Sequence, residues 1–198
     1  MKSLTLVGFL LIWLLLSVGC DRAQKKFNHV DVTGIPGFGN TFSLPDGHGQ
    51  QRKLADFRGK VVLLFFGYTH CPDVCPTTLA RLREVMVRLG PDADKLVVLF
   101  VTLDPARDSA VLLREYVPSF DPRFIGLRPD DELALQKITR DFKIYYHKVP
   151  AERADRYTID HTSGSYVFDM QGRLRLFVRD DENTTPLVED LRLLISAS

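Results

Sequence analysis

Apolar residues fall into a few distinct patterns along the 198-residue chain. Residues 4–18 are almost unbroken apolar, a run of 15 behind Lys2. The run Val61-Val62-Leu63-Leu64-Phe65-Phe66 is β-branched, aliphatic and aromatic, and predicts a strand buried on both faces. Residues 77–89 then carry apolar side chains at helical spacing, and Gly90-Pro91 closes that helix. Residues 95–103 form a second continuous apolar strand ending at Asp104-Pro105. Asp108 or Ser109 caps a helix running to about Val117, and Asp130 caps another over 132–140. Residues 142–149 alternate loosely as a strand, and a charged loop follows to Tyr157. Residues 165–169 and 173–178 flank Met170-Gln171-Gly172 as an antiparallel hairpin. Pro186 sits in the first turn of a last helix, whose Leu187, Val188, Leu191, Leu194 and Ile195 share a face.

Between the leader and the first buried strand, residues 24–40 are polar and glycine-containing with no apolar period, which predicts a tether. A flexible chain of that length spans about 20 Å on average. Residues 42–47 make a short strand and turn, and 51–57 the returning strand. Two long apolar strands joined through a helix imply a parallel crossover. The whole order predicts an α/β, thioredoxin-like three-layer fold with an N-terminal hairpin and a mixed central sheet. Its divisions are a leader over 1–20, a flexible tether over 21–40 and one domain over 41–198. There are no internal repeats.

Charge changes this picture little. Charged residues are 26% and the formal net charge is +1, so there is no electrostatic case for nucleic acid. The leader adds an address. It is short for a permanent span and suits a signal h-region. Leu16-Ser17-Val18-Gly19-Cys20 resembles a bacterial lipobox, with Ser17 where that motif usually carries leucine. Cys20 is therefore the candidate lipidation site, the other reading being an uncleaved short anchor. Either puts the domain on the outer side of the cell membrane, facing the periplasm or its equivalent, where disulfides persist. Asp21 resembles the inner-membrane retention signal of enteric bacteria.

Candidate chemistry concentrates where the first buried strand becomes a helix. Cys71 and Cys75 stand at i and i+4 in Gly67-Tyr68-Thr69-His70-Cys71-Pro72-Asp73-Val74-Cys75-Pro76. With Cys20 they are the only cysteines, too few for a disulfide scaffold, so the pair points to redox or metal chemistry. A thiol at a helix start meets unpaired N–H groups and the positive dipole end, which favour thiolate. The spacing is one residue wider than Cys-x-x-Cys, leaving room for two sulfurs to face an ion while still allowing a disulfide.

Two thiolates under-coordinate most metals, so a third donor is sought among the five histidines. His29 lies in the tether, His48 in a glycine-rich turn and His147 on a strand beside a charged loop, where solvation explains each. His70 adjoins Cys71 and ligates only if the loop folds back. His161 sits in Asp160-His161-Thr162-Ser163-Gly164, the loop that faces the cysteines in a thioredoxin-type fold. Thiol oxidoreductases carry a cis-proline there; this stretch has none, and an imidazole would instead supply a donor atom. Two thiolates and one imidazole form a soft, low-coordinate set suited to Cu(I) and able to hold Cu(II), whereas structural zinc usually takes a fourth ligand. Asp73, Asp104 and Asp160 are candidates to orient or charge-balance the site from behind.

The stretch from Gly67 to Leu79 resembles the signature of the Sco/SenC family of copper proteins. Thr102-Leu103-Asp104-Pro105 through Asp108, Phe124-Ile125-Gly126-Leu127 and Asp160-His161-Thr162 fall in that family's order. The resemblance covers about 42–196. It implies one copper held by Cys71, Cys75 and His161, and a role as an assembly factor for the dinuclear copper centre of cytochrome c oxidase. Some members deliver copper to the copper-accepting subunit; others reduce that subunit's cysteines. Other copper chaperones or thiol reductants are further partners compatible with this role. Thr162 stands where the family usually has serine, and Met170 where some members have proline; Met170 reads as a turn residue. The other readings are a thiol–disulfide oxidoreductase using Cys71 and Cys75 with metal incidental, and a peroxiredoxin-like peroxidase suggested by Val74-Cys75-Pro76-Thr77. That family has threonine three residues before its cysteine, and here Pro72 occupies the place.

Overall fold

The computed structural model describes residues 26–150, 157–179 and 183–197. In chain order they form β1 (Val30–Asp31), β2 (Ser43–Pro45), β3 (Gln51–Lys53), β4 (Val61–Gly67), α1 (Val74–Leu89), β5 (Leu96–Thr102) and α2 (Ala110–Tyr116). There follow β6 (Phe124–Leu127), α3 (Glu132–Asp141), β7 (Tyr146–Pro150), β8 (Tyr157–His161), β9 (Ser165–Phe168), β10 (Leu174–Val178) and α4 (Thr184–Ser196). Six strands make one sheet in the order β1-β10-β9-β4-β5-β6, and β2–β3 and β7–β8 are separate hairpins.

The two unbroken apolar runs lie side by side at the centre. β4 and β5 pair in parallel from Val61 opposite Leu96 to Gly67 opposite Thr102, and every residue of both is buried. Side chains alternate across a strand, so Val61, Leu63 and Phe65 enter one core cluster while Val62, Leu64 and Phe66 enter the other. Both faces are covered, which is why neither strand shows an apolar–polar alternation. α1 and α4 pack on the first face with Leu79, Leu82, Leu187 and Leu191. α3 and the β2–β3 hairpin close the second with Leu135, Ile138, Phe42 and Leu44. β6 continues the parallel set beyond β5, and β9 runs antiparallel to β4. The result is the expected three-layer, mixed-sheet thioredoxin-like arrangement, with the β4–α1 turn at one end of the sheet.

Several local expectations change. Residues 54–57 are a 3₁₀ turn rather than the end of β3, and Gly90–Lys95 is another rather than an open loop. Asp131, not Asp130, caps α3 by accepting the Ala134 amide at 2.8 Å. Ser109 caps α2 through the Leu112 amide, which leaves Asp108 free for a different task.

The largest difference is in the expected tether. From residue 26 onward the chain packs onto the domain. Val30 and Asp31 pair with Phe177 and Leu176 as the sheet's edge, and Val32 is buried. The carboxylate of Asp190 on α4, fully buried, fixes this stretch. It accepts the Asn28 amide at 2.9 Å, the His29 amide at 2.9 Å and His29 Nδ1 at 2.8 Å. His29 is accordingly a buried partner and not a solvated side chain. Such a contact is invisible to a search for apolar period because the chain is held by hydrogen bonds at long sequence separation. Asp190→Ala leaves those amides without their acceptor, so a loss of about 2–4 kcal/mol is expected. Urea unfolding with limited proteolysis checks it; full protection of residues 26–33 in the variant would refute the anchor.

Among the described residues no helix is long and apolar enough to cross a membrane. The leader, Cys20 and the start of the tether lie outside the described residues, as does most of the charged loop before Tyr157.

Candidate metal centre

β4 delivers the cysteines. It ends at Gly67, the loop turns through Tyr68–Asp73, and α1 begins at Val74 with Cys75 in its first turn. Asp73 stands at the N-cap position, yet its side chain makes no capping bond to the backbone. The Cys71 sulfur takes part of that place, accepting the Cys75 amide at 3.4 Å. Cys71 is half-buried and Cys75 wholly buried. The Cys71 thiol is pulled down from 9.0 to about 5, first by the Cys75 thiol that donates to it, then by the amides of Cys75 and Asp73 and the charge of His161, against an opposing push from burial.

His161 arrives from the other side. It is the last residue of β8, a strand paired with β7, and not part of an irregular loop as expected. Its Nε2 lies 3.9 Å from Cys75 Sγ. Its Nδ1 lies 3.0 Å from the carbonyl oxygen of Thr162, so Nδ1 is the nitrogen that carries a proton and Nε2 is the one turned toward the sulfur. Thr162 is itself pinned: its amide reaches the Tyr145 carbonyl at 2.9 Å, and its hydroxyl accepts the Tyr145 amide at 3.0 Å. The small hydroxyl residue after the histidine thus holds the turn. Tyr68 presents its ring edge-on to His161 at 6.4 Å, and burial raises its phenol above the usual range.

The donor set fits an ion in part. With metal–sulfur and metal–nitrogen bonds of about 2.3 and 2.0 Å, two ligands of one trigonal or tetrahedral ion stand roughly 3.5–3.7 Å apart. Cys75 and His161 are near that separation. Among the described residues no three His, Cys, Asp or Glu side chains already stand as a closed ligand set; Cys71 lies on the loop beside the Cys75–His161 pair. That loop borders an open cleft of about 500 Å³, which Cys71, Pro72 and Val74 line opposite Ile159 and His161.

The other sequence candidates separate. Asp73 lines the cleft, and its carboxylate accepts the Thr77 hydroxyl at 3.4 Å. Asp160 also borders the cleft, with its carboxylate 3.8 Å from His147; the Thr162 carbonyl, not Asp160, holds the His161 ring. Asp104 is buried behind the site, bonded to Arg107 and to the Tyr157 hydroxyl. His70 is exposed and its Nδ1 contacts the Thr69 hydroxyl at 3.0 Å and Asp108 at 3.5 Å, while His48 is exposed on its turn.

The family model described as SCO1/SenC matches residues 31–196. The chain belongs to the SCO1/SenC family. An SCO2-like protein of Rickettsia prowazekii is 35% identical over 175 residues, covering 87% of this chain and 83% of its own length. The mitochondrial SCO2 homolog of Mus musculus is 36% identical over 158 residues, 79% of this chain but only 62% of the mouse protein. Among solved structures, Bradyrhizobium japonicum ScoI with copper bound is 37% identical with a TM-score of 0.71, over 79% of this chain and 99% of that one. Apo Sco1 of Thermus thermophilus is 34% identical with a TM-score of 0.73, over 87% and 99%.

Two residues that support the family's cysteine turn carry no chemistry of their own and escaped the sequence reading. Asp108, fully buried, accepts the Thr69 amide at 3.0 Å and the hydroxyls of Thr69 and Thr102, both at 2.5 Å, tying the cysteine loop to the end of β5. Gly67 is the second. A Cβ there would lie 2.9 Å from Cys75 Sγ and 3.0 Å from the Phe100 ring. In the sequence both fall inside the family's motifs, Gly67 as a glycine ending a buried strand and Asp108 as a helix cap beside a better one, with nothing local to show what they support.

The depressed Cys71 thiol makes a pH prediction. A group whose folded pKa is lowered adds stability that is present above its unfolded value and lost as pH falls through the folded one, here from 9.0 down to about 5. Iodoacetamide labelling of the reduced, metal-free chain, followed by peptide mass spectrometry, should show Cys71 reacting with a midpoint near 5 and Cys75 reacting slowly at every pH. A Cys71 midpoint in the ordinary thiol range, about 8.5, would contradict this.

Proposed function

We propose that this protein binds one copper ion through Cys71, Cys75 and His161 and assists assembly of the dinuclear copper centre of cytochrome c oxidase. The observation that carries the reading is Cys75 Sγ facing His161 Nε2 at 3.9 Å, at the edge of a cleft that His161 and Cys71 line. Two soft sulfurs and an imidazole favour copper over the hard cations. The copper-bound ScoI of Bradyrhizobium japonicum supports the same cargo here. Copper is held only by the reduced pair, because a Cys71–Cys75 disulfide removes both thiolate ligands. The leader and Cys20 support attachment to the outer face of the cell membrane, where the copper-accepting subunit would meet the site. Titrating the reduced chain with Cu(I) and Cu(II) tests the reading: about one equivalent should bind tightly, and prior oxidation to the disulfide should abolish it. Equal binding by the oxidised chain would refute it.

The asymmetry of the two thiols favours a second use of the same pair. Cys71, partly exposed and easily ionised, attacks one sulfur of a partner's disulfide and releases the other as a thiolate. Cys75 then attacks the Cys71 sulfur, closing Cys71–Cys75 and freeing the partner's second thiol, so two electrons pass to the partner. His161→Ala should leave this exchange rate largely intact. Mixing the reduced chain with the oxidised copper-accepting subunit separates reduction from copper delivery.

A further inference from the structure

His161 hangs on a strand that the main sheet does not hold. Among the described residues β8 pairs only with β7, so its attachment to the domain depends on the buried Ile159 side chain and on what grips its other edge. Two hydrogen bonds grip that edge, at residues two apart, and a third holds the Tyr157 side chain. The Arg107 guanidinium donates Nη1 to the Tyr157 carbonyl at 2.9 Å. The Tyr157 hydroxyl donates to Asp104 at 2.8 Å. The Ile159 amide donates to the Tyr68 hydroxyl at 3.1 Å. Residues i, i+2 and i+4 of a strand share an edge and a face, so the next position in the series 157, 159 is His161 itself.

We propose that Arg107 is a positioning residue for His161, the centre of a clamp with Asp104, Tyr157 and Tyr68 that sets the imidazole over the cysteines. The inference rests on reading His161 as a copper ligand. Arg107 is suited to the task in three ways. Its Nε bonds the buried Asp104, its Nη1 bonds the strand carbonyl, and its plane lies 3.6 Å from the centre of the Tyr157 ring. It also stacks more loosely, at 5.8 Å, over Tyr68 on the cysteine side, so one planar group touches both walls of the site. Lysine has a single donor centre and no plane, and cannot replace this fork. The remaining nitrogen, Nη2, is buried with no hydrogen-bond partner among the described residues. An unpaired buried donor works against stability, which is a poor arrangement if fold stability alone were the residue's role. None of the four residues carries a donor that the ligand set needs; they act through the strand.

The test uses the detergent-solubilised full chain. In the reduced, metal-free state, Arg107→Lys and Tyr157→Phe should raise hydrogen exchange at the Ile159 and His161 amides while leaving β4 and β5 protected. Copper affinity by chelator competition should fall about tenfold, as for other residues that orient a ligand. In a His161→Ala background the same substitutions should change affinity no further. Equal losses with and without His161 would make Arg107 a merely structural residue and overturn the inference, as would unchanged exchange in β8. If His161→Ala alone leaves copper affinity intact, the ligand assignment itself fails, while the exchange data still decide whether the clamp holds the strand.

Discussion

Copper affinity of the reduced protein is expected to drop by more than roughly 100-fold when His161 becomes alanine, beyond the range seen when only a ligand's partner is lost. The fold should survive, because His161 is only part-buried at the end of a hairpin and no core side chain rests on it alone. Cys71→Ala should behave similarly, since the Cys71 loop lies outside the sheet. Two thiolates without the imidazole, or one thiolate with it, leave copper two protein ligands. Chelator-competition titrations of the reduced variants, with circular dichroism to confirm folding, decide the matter. A folded His161→Ala chain that binds copper as tightly as the parent would remove His161 from the site.

Gly67→Ala is expected to cost about 1–3 kcal/mol and to weaken copper binding as well, although it adds only a methyl group. Gly67 has no left-handed backbone to protect, so the demand is for space and not for conformation. The added carbon would meet Cys75 Sγ and the Phe100 ring, both wholly buried. Close-packed interiors relax only in part. Phe100 is held between β4 and α2 by Phe65 and Tyr116, so the Cys75 sulfur is the group that yields. Equilibrium urea unfolding and copper titration of the same variant measure both effects. An unchanged midpoint together with unchanged affinity would show that the close approach is not felt.

Much of this was legible from short-range signals. β4 and β5 announce themselves as seven-residue stretches buried on both faces, and α1 and α4 by apolar stripes. The hairpin from β9 to β10 follows from alternation around a glycine turn, with Gly172 at a φ of 74°. The cysteine pair needed only its spacing and its place before a helix. His161 was reachable because the missing proline opposite the cysteines is itself a local observation. The two-residue β1 was not, since so short a strand has no period to detect and depends on the Asp190 carboxylate more than 160 positions away. Nor was β8, where Asp160 and His161 read as loop because half the hairpin that pairs them is polar and exposed.

The chain's own order of residues determines the fold class, the two thiols at a helix start and the kind of donor that would complete them, because periodicity, capping and spacing act over a few residues. Tertiary structure alone decides that Cys75 and His161, 86 positions apart, face each other at 3.9 Å, that Gly67 leaves room for the sulfur, and that Asp108 and Arg107 hold the two walls. Those are distances between separate elements, and they come into being only when both faces of the central sheet are packed.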